Sequence, residues 1–556
     1  MKRRTLGLYS TTALTLALTL PACRDDEGEQ MDDGSGGIDT LGGGEDGGGG
    51  AAARCATDRM GPPMVRRLTR GELEATLRDV FPEIDGSWSG VSLGPDPVTH
   101  QGFSNDAEAL AVGLQTAGDI LDTAQDVATL VTAADTLATV LPCAATAPDR
   151  GCATEFVEQR GAALFRRPLD EEEIARYVEY YDSVAERSDF ATGLRWTTVA
   201  LIQSPLTVYR SELGSNEGGV YRLDPYEIAS ALAYDFSGLP PTDDLIARAV
   251  AGEFDDPEAR IEVARELLAT EAGHAVLERF FREWSGYGQV AGAVRDDPDF
   301  EGVRDAMDEE TRRFIEAVVY EDEADVYGLL TANYSVVNAD LASYYGYGAP
   351  GGDFARVERP AQWGIGLLAQ GSVLAANANS GASSPTQRGL LVYEKLLCES
   401  PPPPPADVPA LPADVDGAQT TRQRYEEVHM ADPACQGCHQ FFDPIGFSFE
   451  HFDQAGRYRT QENGLEIDAS GLLVVDPAAD PVAFDGLSEL ATLAAETPAV
   501  TDCVSGLMIG YVFGGAGGEV CVAESARDAL QAGEIGMLEY VAQLAGAPHF
   551  TEREAP

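Results

Sequence analysis

Lysine is almost missing from this chain. Of 556 residues only Lys2 and Lys395 carry an ammonium group, so nearly every basic side chain is an arginine. Positive charge is scarce altogether: 38 Lys and Arg stand against 92 Asp and Glu, a formal net charge of −54. A surface this negative repels nucleic acid and anionic lipid headgroups, which argues against both as partners. It suits solubility in a salty or extracytoplasmic medium, or a partner carrying a basic patch. No apolar run is long enough for a permanent membrane span. A Walker loop, an HExxH helix and a GxSxG elbow are all absent. Acidic pairs such as Glu309-Glu310 are too common in this composition to signal a glycosidase. No internal period of about 20–50 residues marks a repeat protein.

Histidine is sparse too, at six residues, with nine cysteines. That scarcity gives weight to one stretch, Asp432-Pro433-Ala434-Cys435-Gln436-Gly437-Cys438-His439. It contains Cys-x-x-Cys-His, which chance would produce on the order of 10⁻³ times in a chain of this composition. The pattern anchors a c-type haem: each sulfur adds to one porphyrin vinyl group, and the adjacent histidine takes the proximal side of the iron. Cys435 and Cys438 are therefore the candidate haem-binding residues and His439 the candidate proximal ligand of one covalent haem c. Three other chemistries compete: a short Cys435–Cys438 disulfide, half of a zinc site with His429 and His439, and a redox dithiol. No second CxxC completes a zinc cage, and no thioredoxin-like βαβ pattern surrounds the pair.

The first residues read as a secretion signal. Lys2-Arg3-Arg4 forms a positive n-region, Thr5 to Leu18 a short apolar core, and Leu20-Pro21-Ala22-Cys23 resembles a bacterial lipobox. Cys23 is the expected lipidation site, with an ordinary cleaved signal peptide as the alternative. Arg3-Arg4 also raises twin-arginine export, but haem attachment on an unfolded chain suits the general secretion route better. Export places the other cysteines in an oxidising compartment. Cys143–Cys152 is expected as a short disulfide loop and Cys503–Cys521 as a staple across a Gly-rich turn. Cys55–Cys398 follows only by elimination.

Residues 24–54, rich in glycine and acid, are expected to be a disordered tether. From Met64 onward apolar residues recur at helical spacing, and Thr69 with Glu72 makes a capping-box pattern. Ala107 to Leu141 has helical period. Pro168 ends one helix, and Asp170 and Thr242 each cap another. Phe280, Phe281 and Trp284 read as core aromatics. Ser383-Ser384-Pro385 starts a helix running to Leu397–Cys398, and Pro401 to Pro405 is a polyproline strut. Beyond the motif, Asp443-Pro444-Ile445-Gly446-Phe447 reads as a turn, and Asn463-Gly464 as the turn of a small hairpin. The expected fold is mainly α, in several helical domains, with a small cytochrome-c-like haem region containing a short β-hairpin. Its parts are a signal (1–23), a tether (24–54), helical domains (55–150, 151–215 and 216–350), the strut and haem-motif domain (351–478) and a C-terminal helical domain (479–556).

Several separated segments together resemble one known arrangement. They are Arg67-Leu68-Thr69-Arg70-Gly71-Glu72, Phe165-Arg166-Arg167-Pro168-Leu169, Ser204-Pro205 with Tyr209-Arg210, and Arg222-Leu223-Asp224-Pro225-Tyr226-Glu227-Ile228-Ala229. Ser384-Pro385-Thr386-Gln387-Arg388-Gly389 and the stretch from Cys435 to Arg457 complete the set. In these the chain resembles the large secreted planctomycete-type proteins, also abundant in myxobacteria, that join domains of unknown function to a CxxCH near the C-terminal end. The resemblance implies a multidomain, mostly helical, exported protein with a cytochrome-c-like site; it implies no activity. His451 stands where that pattern usually has asparagine, and no arginine follows Tyr511-Val512-Phe513-Gly514-Gly515.

The sixth iron ligand would decide function: a strong ligand gives an electron carrier, an open position gives room for a small molecule. His429 and Met508 are the first candidates, followed by Met430 and His451. Met508 also reads as a core residue, and His429 as an outer hydrogen-bond partner. Arg457 and Arg459 are candidates for pairing with haem propionates or with surface acids. The expectation is an exported lipoprotein of the outer membrane, periplasm or cell surface, anchored by lipid, that passes electrons through its haem to or from an unidentified redox partner. The alternative is a surface adhesion module, for glycan or protein, in which the CxxC is a disulfide.

Overall fold

Hydrogen-bonding side chains start the helices where the sequence places them. Thr69 accepts from the Glu72 amide at 3.2 Å, while the Glu72 carboxylate accepts from the Thr69 amide at 2.7 Å, opening helix Arg70–Val80. Asp170 with Glu173 opens Glu171–Ala185 in the same way, and Asp224 with Glu227 opens Pro225–Ser237. Thr242 caps Asp243–Val250. In this computed structural model 60% of the described residues are helix and 9% strand, so the protein is mainly α. It describes residues 62–98, 103–348, 350–351, 353–401, 419–431, 433–475, 480–515 and 523–554. The signal with Cys23, the tether, Cys55, Cys521 and residues 402–405 of the proline strut lie outside them. The chain divides into two units, 1–53 and 54–556, of which only the second contains described residues. Among these, no helix is long and apolar enough to cross a membrane.

Short antiparallel pairs join remote parts of the chain. Met64–Arg67 runs beside Tyr209–Glu212, with Met64 opposite Glu212. Val220–Arg222 is flanked by Ser215–Glu217 on one side and by the last described strand, Glu552–Glu554, on the other. These pairings gather five buried charges. Glu212 pairs with Arg66 at 3.1 Å, Arg210 at 3.4 Å and Arg553, while Asp235 pairs with Arg66 at 3.3 Å and with Arg210. One apolar core draws on residues from Phe103 to Phe550, and a second, around Leu77 and Phe156, is built from residues 68–234.

Two helices position the motif. The first, Pro385–Lys395, is capped by Ser384; the second, Pro433–Gly446, carries Cys435, Cys438 and His439. They pack backbone to backbone through a pair of glycines. A Cβ on Gly389 would lie 1.9 Å from the Phe442 carbonyl oxygen, and one on Gly446 would lie 1.9 Å from that of Pro385. Gly389→Ala should therefore destabilise the protein by about 2–3 kcal/mol. Thermal melts should show this against Gly506→Ala, where an added Cβ meets nothing within 4 Å.

Asp443-Pro444-Ile445-Gly446 is not the expected turn: it forms the last turn of the motif helix, with Pro444 inside it. A turn is what the residue types favour locally, but the close seat against the first helix keeps this segment helical. The hairpin is present, with Gln461–Glu462 pairing Leu465–Glu466 across Asn463-Gly464. Both turn residues have positive φ, 54° and 79°, as a tight two-residue hairpin turn requires.

Cys143 and Cys152 form the short disulfide. The expected Cys503–Cys521 and Cys55–Cys398 pairings are corrected: Cys503 is bonded to Cys398, with Cα atoms 5.5 Å apart. Cys398 ends the segment after helix Pro385–Lys395, and Cys503 lies on helix Pro498–Phe513, which packs into the same core. The bond spans 105 residues and so encloses the whole motif region.

Candidate functional site

Pro433 begins the motif helix, where a fixed φ and a missing N–H cost nothing. Cys435 and Cys438 are three residues apart and His439 is four from Cys435, so all three share one side of the helix. Both thiols are partly exposed and unbonded. The disulfide that the adhesion alternative requires is not formed.

His439 meets Asp443, four residues further along the same helix, with Nδ1 3.0 Å from Oδ2. His429 reaches the same oxygen, at 2.9 Å, from another segment. It sits in a π-helical turn, Glu426–Met430, that continues helix Thr421–Tyr425; the wider turn re-aims the side chains that follow it. Asp443 is fully buried, and its other oxygen accepts from Thr386 Oγ1 at 2.7 Å. Burial alone would push this carboxyl up. Hydrogen bonds from His429, His439 and Thr386 outweigh it and hold Asp443 below the usual carboxylate range. An ionised carboxylate only accepts, so each imidazole donates its Nδ1–H and turns Nε2 away from Asp443. His439, 20% exposed, thus turns Nδ1 to the carboxylate, which fixes the ring's orientation and leaves Nε2, the nitrogen an iron ligand needs, on its other side.

The other candidates fall elsewhere. The His429 and His439 ring centroids are 3.9 Å apart, which leaves no space for a porphyrin plane between them. In this arrangement His429 is not a distal ligand but a second donor to the carboxylate behind His439. Met508 is 1% exposed and packs in the main core. The Met430 side chain lies outside the described residues. His451 is bonded through Nδ1 to the Arg459 carbonyl at 2.9 Å and stacks on Tyr458. Arg457 pairs with Asp297 and Asp453, and Arg459 with Glu450 and Glu462. Acids of the protein itself thus hold both arginines considered for propionates.

Sequence reasoning missed Asp443, Thr386 and Arg388. Asp443 carried a usable signal, its i, i+4 spacing from His439, hidden because Pro444 marks a turn. The fully buried Arg388 guanidinium donates to four carbonyls, those of Leu374, Phe449, Phe452 and Asp453, at 2.7–3.1 Å. It locks the chain that leaves the motif helix onto the helix beside it.

Four stretches of the chain match family models, each described as a protein of unknown function. They are PSD3 (DUF1587) over residues 66–133, PSD5 (DUF1595) over 152–212, PSD4 (DUF1592) over 223–347 and PSCyt3 (DUF1588) over 365–462. No curated protein and no solved structure matches. The four matches are consistent with the multidomain, cytochrome-associated type that the sequence resembles. The PSCyt3 match spans both packed helices, the Cys435–His439 motif and Asp443.

Two unbonded thiols and a histidine with Nε2 free, on one side of one helix, fit a covalently attached haem. Cys435 and Cys438 would hold its edge and His439 its iron. Asp443, itself fixed by Thr386, keeps His439 in the required tautomer.

Proposed function

We propose that this is an exported, lipid-anchored c-type haem protein that transfers electrons through a single haem held by Cys435, Cys438 and His439. The observation that carries the reading is the pairing of two unbonded CxxC thiols with a histidine whose Nδ1 is committed to buried Asp443. A haem held there supplies one-electron exchange, tuned by burial and by the basicity of its axial histidine. The chain's own residues orient His439, hold its ring proton at Nδ1 and keep the carboxylate behind it out of water. Two disulfides suit an oxidising compartment, which supports export and, with the lipobox at Cys23, a lipoprotein of the outer membrane, periplasm or cell surface. The redox partner is expected to present a basic patch to a surface of charge −54, and nucleic acid is not a partner.

Expression with a periplasmic haem-maturation system tests this. Haem staining of a denaturing gel should label the wild type and not Cys435→Ala/Cys438→Ala. An unstained wild type, from cells that load a control cytochrome, would overturn the reading.

A further inference from the structure

We infer that in the haem-free chain His429, His439 and Asp443 form a binding site for one divalent transition-metal ion of the borderline class, such as Zn²⁺, Co²⁺ or Ni²⁺. This goes beyond the haem reading and does not depend on it.

The first support is convergence. Three ligand atoms, one from each residue, lie within 4.8 Å of one another. The two nitrogen-to-oxygen separations are 2.9 and 3.0 Å. Two ligands each about 2.1 Å from an ion are about 3.0 Å apart at a right angle and about 3.4 Å apart at the tetrahedral angle, so these two separations need widen by at most a few tenths of an ångström to admit one. Two imidazoles and a carboxylate are a donor set that borderline divalent ions favour.

The second support is electrostatic. Elsewhere three buried carboxylates are paired with guanidiniums, Glu212 with Arg66 and Arg553, Asp235 with Arg210 and Glu450 with Arg459, while buried Glu310 is bonded to the Ser335 and Tyr345 hydroxyls. Asp443 is as buried as these. Among the described residues no guanidinium or ammonium lies within ion-pair distance of it; its hydrogen-bond partners are the two imidazoles and Thr386. With both imidazoles neutral the cluster carries one negative charge, and a divalent cation would reverse it without adding a buried anion. Thr386 holds the second carboxylate oxygen and so fixes the rotamer, the outer-shell support that metal-binding carboxylates commonly have. His429 and His439 are 14% and 20% exposed, so the ion has a way in from the imidazole side.

The site differs from a Cys₂His₂ zinc site, because its converging atoms come from His429, His439 and Asp443 rather than from the thiols. It also excludes haem iron. Coordination through Nδ1 moves the ring proton of His439 to Nε2, the nitrogen an axial ligand must leave free. Metal and haem are thus alternative occupants.

The test uses the full chain made without haem maturation, stripped with chelator and dialysed against Zn²⁺ or Co²⁺. The wild type should bind one equivalent, with a cobalt d–d spectrum showing nitrogen and oxygen ligands. His429→Gln should weaken binding at least 100-fold while the metal-free chain still unfolds in one cooperative transition; Cys435→Ser/Cys438→Ser should bind as the wild type does. No saturable binding by the wild type, or binding lost with the thiols and kept in His429→Gln, would overturn the inference. Haem staining of matured wild type reports separately on the haem reading, so either can fail with the other standing.

Discussion

Glu212→Ala should destabilise the protein by about 3–5 kcal/mol, the cost of removing one partner from a buried ion network and leaving its cations unpaired. The substitution deletes one anion from a cluster of three guanidiniums and two carboxylates. All five side chains are between 3% and 7% exposed. Arg66, Arg210 and Arg553 would then face Asp235 alone. The damage would not stay local, because the three arginines come from the first described strand, from its partner and from the last described strand, whose antiparallel pairings it would loosen. Glu212→Gln should cost less, since it keeps the volume and one acceptor oxygen. The same residue predicts a pH dependence. Burial alone would raise the Glu212 carboxyl, but Arg553, Arg66 and Arg210 outweigh it and hold the group far below the usual range. A carboxylate depressed in the folded state contributes its full stability above its unfolded pKa, about 4.3, and loses it as pH falls. Wild-type melting temperature should therefore drop progressively below about pH 4, and the drop should be shallower in Glu212→Gln. Melting curves between pH 3 and 7 check both; a Glu212→Ala protein as stable as the wild type would show that the network contributes nothing.

How far the sequence discloses such features follows from how local they are. The capping box at Thr69 and the caps at Asp170 and Thr242 are read from patterns no more than four residues long, and each opens a helix in the structure. The Asn463-Gly464 hairpin and the Cys143–Cys152 loop are equally short-range. Cys398–Cys503 is not: nothing near either residue distinguishes it from the other pairings of six cysteines, and only packing of the core brings the two together. The buried charges divide in the same way, since residues as remote as Arg66 and Arg553 carry no shared pattern. At the candidate site the CxxCH run stands out in the sequence because its residues are consecutive. Asp443 does not, because Pro444 and Gly446 locally favour a turn. They are helical only because Gly389 lets the neighbouring helix approach within backbone contact. His429 stood out as a candidate ligand, but whether it faces His439 across a porphyrin or beside it depends on a π turn that the residues themselves do not announce.

Arg388→Met should be as damaging as the loss of Glu212, by a different route. The guanidinium is 0% exposed and surrounded by carbonyl oxygens, not by a carboxylate within ion-pair distance among the described residues. Burial pushes its pKa down to about 10, which still leaves it charged at neutral pH. Methionine matches its length and removes the desolvation of a cation, which alone would stabilise the protein. It also strips four buried carbonyls of a donor, at about 1–3 kcal/mol for each left unsatisfied, so the loss wins by about 3–5 kcal/mol overall. Lysine should rescue only part of this, because one ammonium cannot reproduce a planar fork directed at four acceptors. The carbonyls belong to Leu374 and to Phe449, Phe452 and Asp453, so what loosens is the chain leaving the motif helix rather than Cys435, Cys438 or His439 themselves. Limited proteolysis should accordingly cut the variant first near residues 447–460, with a lowered thermal midpoint. The covalent haem proposed above, whose attachment would require only the CxxCH run on an unfolded chain, should stain as strongly in Arg388→Met as in the wild type. Loss of the stain with an unchanged midpoint would mean that Arg388 acts on haem attachment and not on the fold.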